Sequence, residues 1–149
     1  MGETAAPQPS LLMNPAIALD PPLAPPTRVM LVDDHASFRA SARWLLEVEG
    51  YEVVAEVASG ESALDRVMAV SPALVLLDIG LPGIDGFEVA AAIHARLPSA
   101  TIVLTSSRDL GDVGLDRVHA CGAIGFVQKA HLSRGALEAL TAGGPPPPR

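Results

Sequence analysis

The chain has 149 residues, of which 49% are hydrophobic and 18% are charged, and its formal net charge is −7, a balance typical of one globular domain. The negative charge argues against direct contact with DNA or RNA, which needs clusters of lysine and arginine, and the single cysteine, Cys121, excludes an intramolecular disulfide. Because no apolar run approaches the roughly 20 residues of a membrane span and the N-terminus lacks a basic signal segment, we expect a cytoplasmic protein without membrane contact.

Proline divides the chain into three segments. Of the 14 prolines, seven lie within residues 1–27 and four form the run from Pro145 to Pro148. Low-complexity segments of this kind bury too little apolar surface to offset the entropy of ordering the chain. We therefore expect residues 1–27 and 142–149 to be disordered and predict one folded domain over residues 28–141.

Five short apolar runs within that domain predict β-strands. They are Arg28–Asp33, Tyr51–Val57, Ala73–Asp78, Thr101–Thr105 and Ile124–Gln128. Three of these runs are continuously apolar and do not alternate with polar residues. This pattern is typical of parallel strands that are covered on both faces.

Amphipathic segments between the strands predict five helices, over Ala36–Glu49, Glu61–Val70, Gly86–Arg96, Leu110–Cys121 and Leu132–Leu140. The first places Phe38, Ala42, Leu45 and Val48 on one face, and we expect Trp44 to pack as well. The fourth is interrupted by Gly111 and Gly114, at roughly 1 kcal/mol each relative to alanine, so we expect it to be short or mobile. The alternating order predicts an α/β fold, a doubly wound (βα)5 sandwich around a parallel five-stranded sheet.

Polar side chains follow four of the predicted strands at the points where they end. Asp33 and Asp34 end the first strand, Asp78 the third and Thr105 the fourth, while the fifth runs into Lys129, the one lysine beside nine arginines. Because ligands of a doubly wound sheet bind at the carboxyl ends of its strands, we expect these side chains to converge.

Three converging carboxylates need a cation, because two carboxylates about 4 Å apart repel by roughly 4 kcal/mol at an effective dielectric constant of about 20. Mg²⁺ is the natural candidate, since it takes hard oxygen ligands and often binds phosphate oxygens. With the metal bound, Asp78 can attack phosphorus as a nucleophile. Lys129 and Thr105 would then meet the charge on the transferred oxygens.

Less specific interpretations exist for several of these residues. Asp34 could serve as the N-cap of the first helix, and Ser106 could replace Thr105 as the phosphate ligand if the strand register differs by one. The pair Asp85-Gly86 is interpreted as a turn and helix cap alone. Four histidines have no metal-ligand spacing and are expected on solvated faces or loops: His35, His94, His119 and His131.

Four motifs together resemble the receiver domain of bacterial two-component response regulators. They are Leu31–His35 (LVDDH), Leu76–Gly86 (LLDIGLPGIDG), Val103–Ser106 (VLTS) and Gly125–Lys129 (GFVQK). The resemblance covers the chain from Arg28 to about Leu140. It implies a flavodoxin-like sheet with the strand order 2-1-3-4-5.

The resemblance also implies a role for each residue of the site. Asp78 would accept a phosphoryl group from a sensor histidine kinase or a phosphotransfer protein. Mg²⁺ would be held beside it by two further carboxylates and a main-chain carbonyl: Asp34 directly, Asp33 through water, and Gly80. Phosphoryl oxygens would be bound by Thr105 and Lys129, and the aromatic residue that switches with phosphorylation would be Phe126.

The sequence departs from the family pattern after Lys129, where Ala130 replaces a proline that usually follows a cis peptide. Since a cis bond to alanine costs about 3 kcal/mol, we expect a trans bond and an adjusted loop. Nothing after Leu140 resembles an output domain, so a signal would pass to an unidentified protein partner.

Three functions remain open from the sequence. The first is a signalling module that accepts a phosphoryl group and turns over no external substrate. The second is a receiver-like scaffold that works without phosphorylation. The third is a phosphatase with an aspartate nucleophile, but that class needs an acidic residue two positions after the nucleophile, where this chain has Gly80.

Overall fold

The computed structural model of the protein describes residues 25–108 and 110–141. These ranges contain the predicted domain over residues 28–141 except for residue 109. The proline-rich segments that were predicted to be disordered lie outside the described residues, except for residues 25–27. No helix in the described ranges is both long enough and apolar enough to span a bilayer.

Five parallel strands form one sheet. They are β1 (Arg28–Val32), β2 (Glu52–Val57), β3 (Leu74–Asp78), β4 (Thr101–Ser106) and β5 (Gly125–Gln128). Their order across the sheet is β2-β1-β3-β4-β5, and every neighbouring pair is parallel. The predicted (βα)5 fold and its 2-1-3-4-5 order are confirmed.

Helices cover both faces of the sheet. They are α1 (Ala36–Val48), α2 (Gly60–Val70), α3 (Gly86–Arg96), α4 (Leu110–Val113), α5 (Leu115–Ala120) and α6 (Arg134–Thr141). A 3₁₀ turn over Lys129–His131 follows β5. The last helix begins at Arg134 and not at Leu132 as predicted, because the Ser133 side chain accepts a hydrogen bond from the Ala136 N–H, which defines its start.

The sheet separates two hydrophobic clusters. One cluster, under α1 and α6, holds the side chains of Leu74 and Leu76 from β3 together with Ala42 and Leu137 from the helices. The other cluster, under α2, α3 and α5, holds the intervening residues of the same strand, Val75 and Leu77 among them. The central strand is therefore buried along its whole length, which explains its unbroken apolar sequence.

The buried face of α1 differs from the predicted one. Ala42 and Leu46, four residues apart, are buried, whereas Val48 is exposed and Trp44 is 67% exposed. Trp44 and Val48 lie two positions beyond these buried residues, about 200° around the helix. The prediction that both residues pack into the core was wrong.

Gly86 sets the approach of α3 to the strand that carries Asp78. A Cβ atom at Gly86 would lie 2.5 Å from the Ile79 Cα atom and 2.7 Å from the Asp78 carbonyl oxygen. Asp85 is the N-cap of α3 and accepts a hydrogen bond from the Phe87 N–H at 2.6 Å, as predicted. Only glycine allows the helix to begin this close to the backbone of β3.

We predict that Gly86→Ala lowers the free energy of unfolding by at least about 2 kcal/mol, because backbone atoms must move to accommodate the methyl group. Gly135→Ala in α6 is the matched control, since its Cβ would meet only Ser133 Oγ at 3.9 Å. That variant should gain roughly 0.5 kcal/mol from helix propensity. Urea unfolding measures both, and equal stability of the two variants would contradict the prediction.

The predicted fourth helix is two short helices. Gly114 lies between α4 and α5 with a φ of +94°, a backbone conformation that ends a helix and favours glycine. The separate helices are four and six residues long, so most of their N–H and C=O groups are end groups without an intrahelical partner. The expectation of a short fourth helix is confirmed.

Amide hydrogen exchange should be faster across α4 and α5 than across α3, because few of their amides are held by helical hydrogen bonds. Mass-spectrometric exchange on the full chain measures this difference, with α3 as the internal reference of eleven residues. Equal protection across the three helices would show that α4 and α5 are as stable as α3.

Candidate functional site

The alternation of side chains along the strands brings the predicted site residues to one face of the sheet. The last apolar residues on the α1 side of four strands are Leu31, Leu76, Val103 and Val127. Side chains two positions apart point to the same face of a strand. The residues two positions beyond them are Asp33, Asp78, Thr105 and Lys129. Four polar side chains therefore meet at the carboxyl edge of the sheet, as predicted.

Lys129 lies between two of the carboxylates. Its Nζ atom is 2.6 Å from Asp33 Oδ2 and 3.3 Å from Asp78 Oδ2, and it lies 4.7 Å from the centre of the Phe38 ring. The lysine side chain is 15% exposed. One ammonium group thus opposes two buried negative charges.

Asp78 is almost completely enclosed, with 3% of its surface exposed. Its Oδ1 atom accepts a hydrogen bond from the Gly80 N–H at 2.9 Å, which fixes the orientation of the carboxylate. Burial raises the pKa of Asp78 above its ordinary value, and the charge of Asp33 adds to this effect. The Gly80 N–H and Lys129 act in the opposite direction.

Both the main chain and the side chain of Asp33 accept hydrogen bonds. Its carbonyl oxygen accepts a hydrogen bond from Arg39 Nη1 at 2.6 Å, and its Oδ1 atom accepts one from the His35 N–H at 2.8 Å. Asp33 Oδ2, which faces Lys129, accepts no hydrogen bond of acceptable geometry from any residue that the structure describes. This buried oxygen is held instead by the ion pair with Lys129 Nζ at 2.6 Å.

Asp34 and His35 form the outer side of the pocket. The N-cap position of α1 is His35, which makes no side-chain cap, so the alternative interpretation of Asp34 as the cap was wrong. His35 Nδ1 lies 3.1 Å from Asp33 Oδ1 and 3.4 Å from Asp34 Oδ1. Together with Asp78, these residues can each place one ligand atom within 4.8 Å of the others.

His35 was missed as a site residue by the sequence analysis. It is exposed, as expected, but it is not isolated from other polar groups. A search for histidines at the regular spacing of metal ligands does not find His35, because it reaches the pocket from the loop between β1 and α1. Its position directly after Asp33-Asp34 in the sequence could have indicated that it lies near the carboxylates.

Thr105 is the hydroxyl that shares a face with Asp78. The two residues are paired across β3 and β4, and Thr105 is buried. Ser106 points to the opposite face, and its Oγ atom accepts a hydrogen bond from the Arg108 N–H at 3.0 Å. Thr105, and not Ser106, therefore lies where its hydroxyl can contact a group bound to the Asp78 carboxylate.

Two residues lie on either side of Lys129 in the sequence: Phe126 in β5 and Ala130 in the turn that follows β5. Phe126 is half-buried against the cluster on the α2, α3 and α5 side, so it lies on the other face of the sheet from Thr105. All peptide bonds among the described residues are trans, and Ala130 lies in the 3₁₀ turn that begins at Lys129. The expected trans bond is confirmed, whereas the adjusted loop and the switching role of Phe126 stay predictions.

The family model of the response regulator receiver domain matches residues 29–141. The chain belongs to this family. The matched residues include every residue of the acidic pocket and all of the sheet except Arg28.

Solved receiver structures have the same fold. The signal receiver domain of the response regulator NarL from Mycobacterium tuberculosis superposes with a TM-score of 0.69 at 30% identity, covering 80% of this chain and 99% of that one. A LuxR-family two-component response regulator from Aurantimonas sp. SI85-9A1 gives a TM-score of 0.69 at 31% identity, covering 77% and 82% of the two chains.

Curated relatives of this receiver domain are longer proteins. The transcription regulator BvgA of Bordetella pertussis is 38% identical over 120 residues, which are 78% of this chain and 56% of that protein. The nitrate/nitrite response regulator NarP of Escherichia coli is 35% identical over 123 residues, which are 82% of this chain and 57% of that protein. The chain spans little more than half the length of each.

In the absence of divalent cations, we predict opposite stability effects for two substitutions in the pocket. Lys129→Met should destabilise the domain by about 3 kcal/mol or more, because it leaves two buried carboxylates unopposed. Asp78→Asn should stabilise it by on the order of 1 kcal/mol, since it removes a buried charge and keeps an acceptor for the Gly80 N–H.

The pH dependence of Asp78→Asn provides a control. The raised pKa of Asp78 means that its charged form opposes folding, so the stability cost develops as pH rises from the ordinary pKa of an aspartate to this raised pKa and is absent at lower pH. Urea unfolding at several pH values should show the gain of the variant shrinking under acid conditions. A gain that is independent of pH would exclude the charge as its cause.

Proposed function

We propose that this receiver domain accepts a phosphoryl group on Asp78 and signals through protein contacts that depend on phosphorylation. The observation that carries the proposal is the pairing of the buried Asp78 carboxylate with Lys129, the one lysine of the chain. Phosphohistidine of a sensor histidine kinase or of a phosphotransfer protein would be the donor. These exchanges would take place in the cytoplasm.

The residues of the pocket fit a Mg²⁺ ion. Three of the four side chains that can place a ligand atom in the pocket are aspartates, whose hard carboxylate oxygens suit this ion, and the one charge of Lys129 opposes two of these three carboxylates. Asp34 and Asp78 would hold the ion directly, Asp33 through water, and the Gly80 carbonyl would complete the protein ligands. When bound, Mg²⁺ supplies positive charge that offsets the carboxylates and the phosphoryl oxygens.

The chain's own residues would prepare Asp78 for the transfer. One of its carboxylate oxygens forms the new bond to phosphorus, the bond between phosphorus and the donor's imidazole nitrogen breaks, and that nitrogen keeps the electron pair. The Gly80 N–H holds the carboxylate in one orientation. The Lys129 ammonium group would contact the phosphoryl oxygens, and the Thr105 hydroxyl would donate a hydrogen bond to them. Such electrostatic positioning provides most of the catalysis in phosphoryl transfer.

Gly80 favours a persistent phosphoryl group over rapid hydrolysis. Phosphatases that use an aspartate nucleophile need an acid or base close to the transferred group, and the position two residues after Asp78 carries no side chain. We therefore expect slow loss of the phosphoryl group and no turnover of external phosphate esters. The net charge of −7 favours a protein as the direct output partner of this chain over nucleic acid.

Incubation of the full chain with Mg²⁺ and acetyl phosphate should add one phosphoryl group, detected by intact mass measurement. Asp78→Asn should abolish the adduct, because a neutral amide replaces the nucleophilic carboxylate. Asp65→Asn, which changes an exposed carboxylate on α2, is the matched control and should leave it unchanged. Absence of an adduct in the wild type would favour a scaffold that works without phosphorylation.

Thr105→Ala should be phosphorylated more slowly than the wild type, by roughly two orders of magnitude for one lost donor. Ser106→Ala, the hydroxyl on the opposite face of the sheet, should react at about the wild-type rate. The same mass measurement, taken as a time course, gives both rates. A larger effect of Ser106→Ala would mean that Ser106 is the phosphoryl ligand.

A further inference from the structure

The imidazole of His35 belongs to the acidic pocket by position. Its Nδ1 atom lies 3.1 Å from Asp33 Oδ1 and 3.4 Å from Asp34 Oδ1. Together with Asp78, each of these residues offers one ligand atom within 4.8 Å of the others. The phosphoryl-transfer mechanism proposed above makes no use of this nitrogen.

The two distances from His35 Nδ1, 3.1 Å and 3.4 Å, are close to the edge length of an octahedral metal site. With ligand distances of roughly 2.1 Å, neighbouring ligands of an octahedral ion are about 3.0 Å apart and opposite ligands about 4.2 Å apart. The two distances from Nδ1 to carboxylate oxygens correspond to such neighbouring ligands. The imidazole can therefore share an ion with the carboxylates after small adjustments of the side chains.

The buried Asp33 side chain adds to the negative charge of the pocket. Asp33 is 2% exposed, and its Oδ2 atom is 2.6 Å from Lys129 Nζ. Because Lys129 also contacts Asp78 Oδ2, its single positive charge opposes two buried carboxylates, and Asp34 adds a third carboxylate beside His35. A divalent cation bound among these side chains would offset the remaining negative charge.

We propose that the His35 imidazole is a direct ligand of the divalent cation in this pocket and raises its affinity for transition-metal ions relative to Mg²⁺. Imidazole nitrogen suits ions such as Ni²⁺, whereas Mg²⁺ prefers oxygen ligands and water. A site with three carboxylates and this imidazole would thus bind Mg²⁺ in competition with transition ions. The inference rests on the cation site of the proposed function.

A positioning role is the alternative for His35. In that case Nδ1–H donates a hydrogen bond to Asp33 Oδ1 and never contacts the ion. Its removal would then weaken the binding of all divalent ions by similar factors, because only the orientation of Asp33 changes. The ratio of affinities for Ni²⁺ and Mg²⁺ therefore separates a ligand from a positioning residue.

The test uses the full chain without a polyhistidine tag. Mn²⁺ is titrated into the protein and followed by electron paramagnetic resonance, and Mg²⁺ or Ni²⁺ is then added to displace it. In His35→Ala we expect the Ni²⁺ affinity to fall by about tenfold or more, with the Mg²⁺ affinity within about twofold of the wild type. Bound Mn²⁺ should also show electron spin echo modulation from a directly bound nitrogen, and this signal should vanish in the variant.

Two controls locate the effect. His131→Ala removes another exposed histidine, on the 3₁₀ turn, and should change neither the affinities nor the nitrogen signal. Asp34→Asn should weaken Mn²⁺ binding itself, which places the measured ion in the pocket. Because the His35 side chain makes no helix cap, thermal unfolding of His35→Ala by circular dichroism should match the wild type.

Each other result overturns the inference in a distinguishable way. Equal losses for Mg²⁺ and Ni²⁺ in His35→Ala, without a nitrogen signal in the wild type, would make His35 a positioning residue. Wild-type affinities in the variant, again without a nitrogen signal, would remove His35 from the site and leave the proposed function intact. Failure of the wild type to bind any of the three ions would overturn both.

Discussion

The fold of this receiver domain concentrates negative charge at one edge of its sheet, and the position of Lys129 makes this concentration possible. Its ammonium group connects the ends of β1, β3 and β5, because it follows β5 and contacts both Asp33 and Asp78. At an effective dielectric constant of about 20, each such contact is worth several kcal/mol of Coulomb energy. One shared cation therefore offsets much of the repulsion between the two buried carboxylates.

The rest of the structure serves to hold these strand ends in register. The two hydrophobic clusters cover the sheet on both faces, so the strands cannot slip without exposing apolar side chains. Arg39 of α1 links the main-chain carbonyl of Asp33 to Glu56 of β2, and Gly86 brings α3 against the end of β3. The geometry of the pocket thus depends on the packing of the helices against the sheet as well as on the contacts within the pocket.

Much of this arrangement could be predicted from the sequence because it depends on local patterns. Continuous apolar runs indicated the parallel strands, and the residues that follow them indicated the pocket, since strand ends and site coincide in this architecture. The family resemblance supplied the strand order. Thr105 could be preferred over Ser106 by its match to the family motif, and the strand register gives the physical reason.

The remaining features depend on tertiary contacts that no local pattern records. The exposure of Trp44 and Val48 depends on how α1 is rotated against the sheet, which Ala42 and Leu46 determine. The contact of His35 with two carboxylates depends on the loop between β1 and α1. The division between α4 and α5 could be anticipated from Gly114, but the positive φ that ends α4 could only be seen in the structure.

The enclosure of Lys129 also affects the chemistry of the whole chain toward amine-directed reagents. All other basic side chains, apart from the histidines, are guanidinium groups, which stay protonated and do not react as amines. The only side-chain amine is 15% exposed and held by two carboxylates. Acylation of lysine, whether by a chemical label or by an acetyl donor, therefore has a single side-chain target in this chain, and reaching it requires opening the pocket.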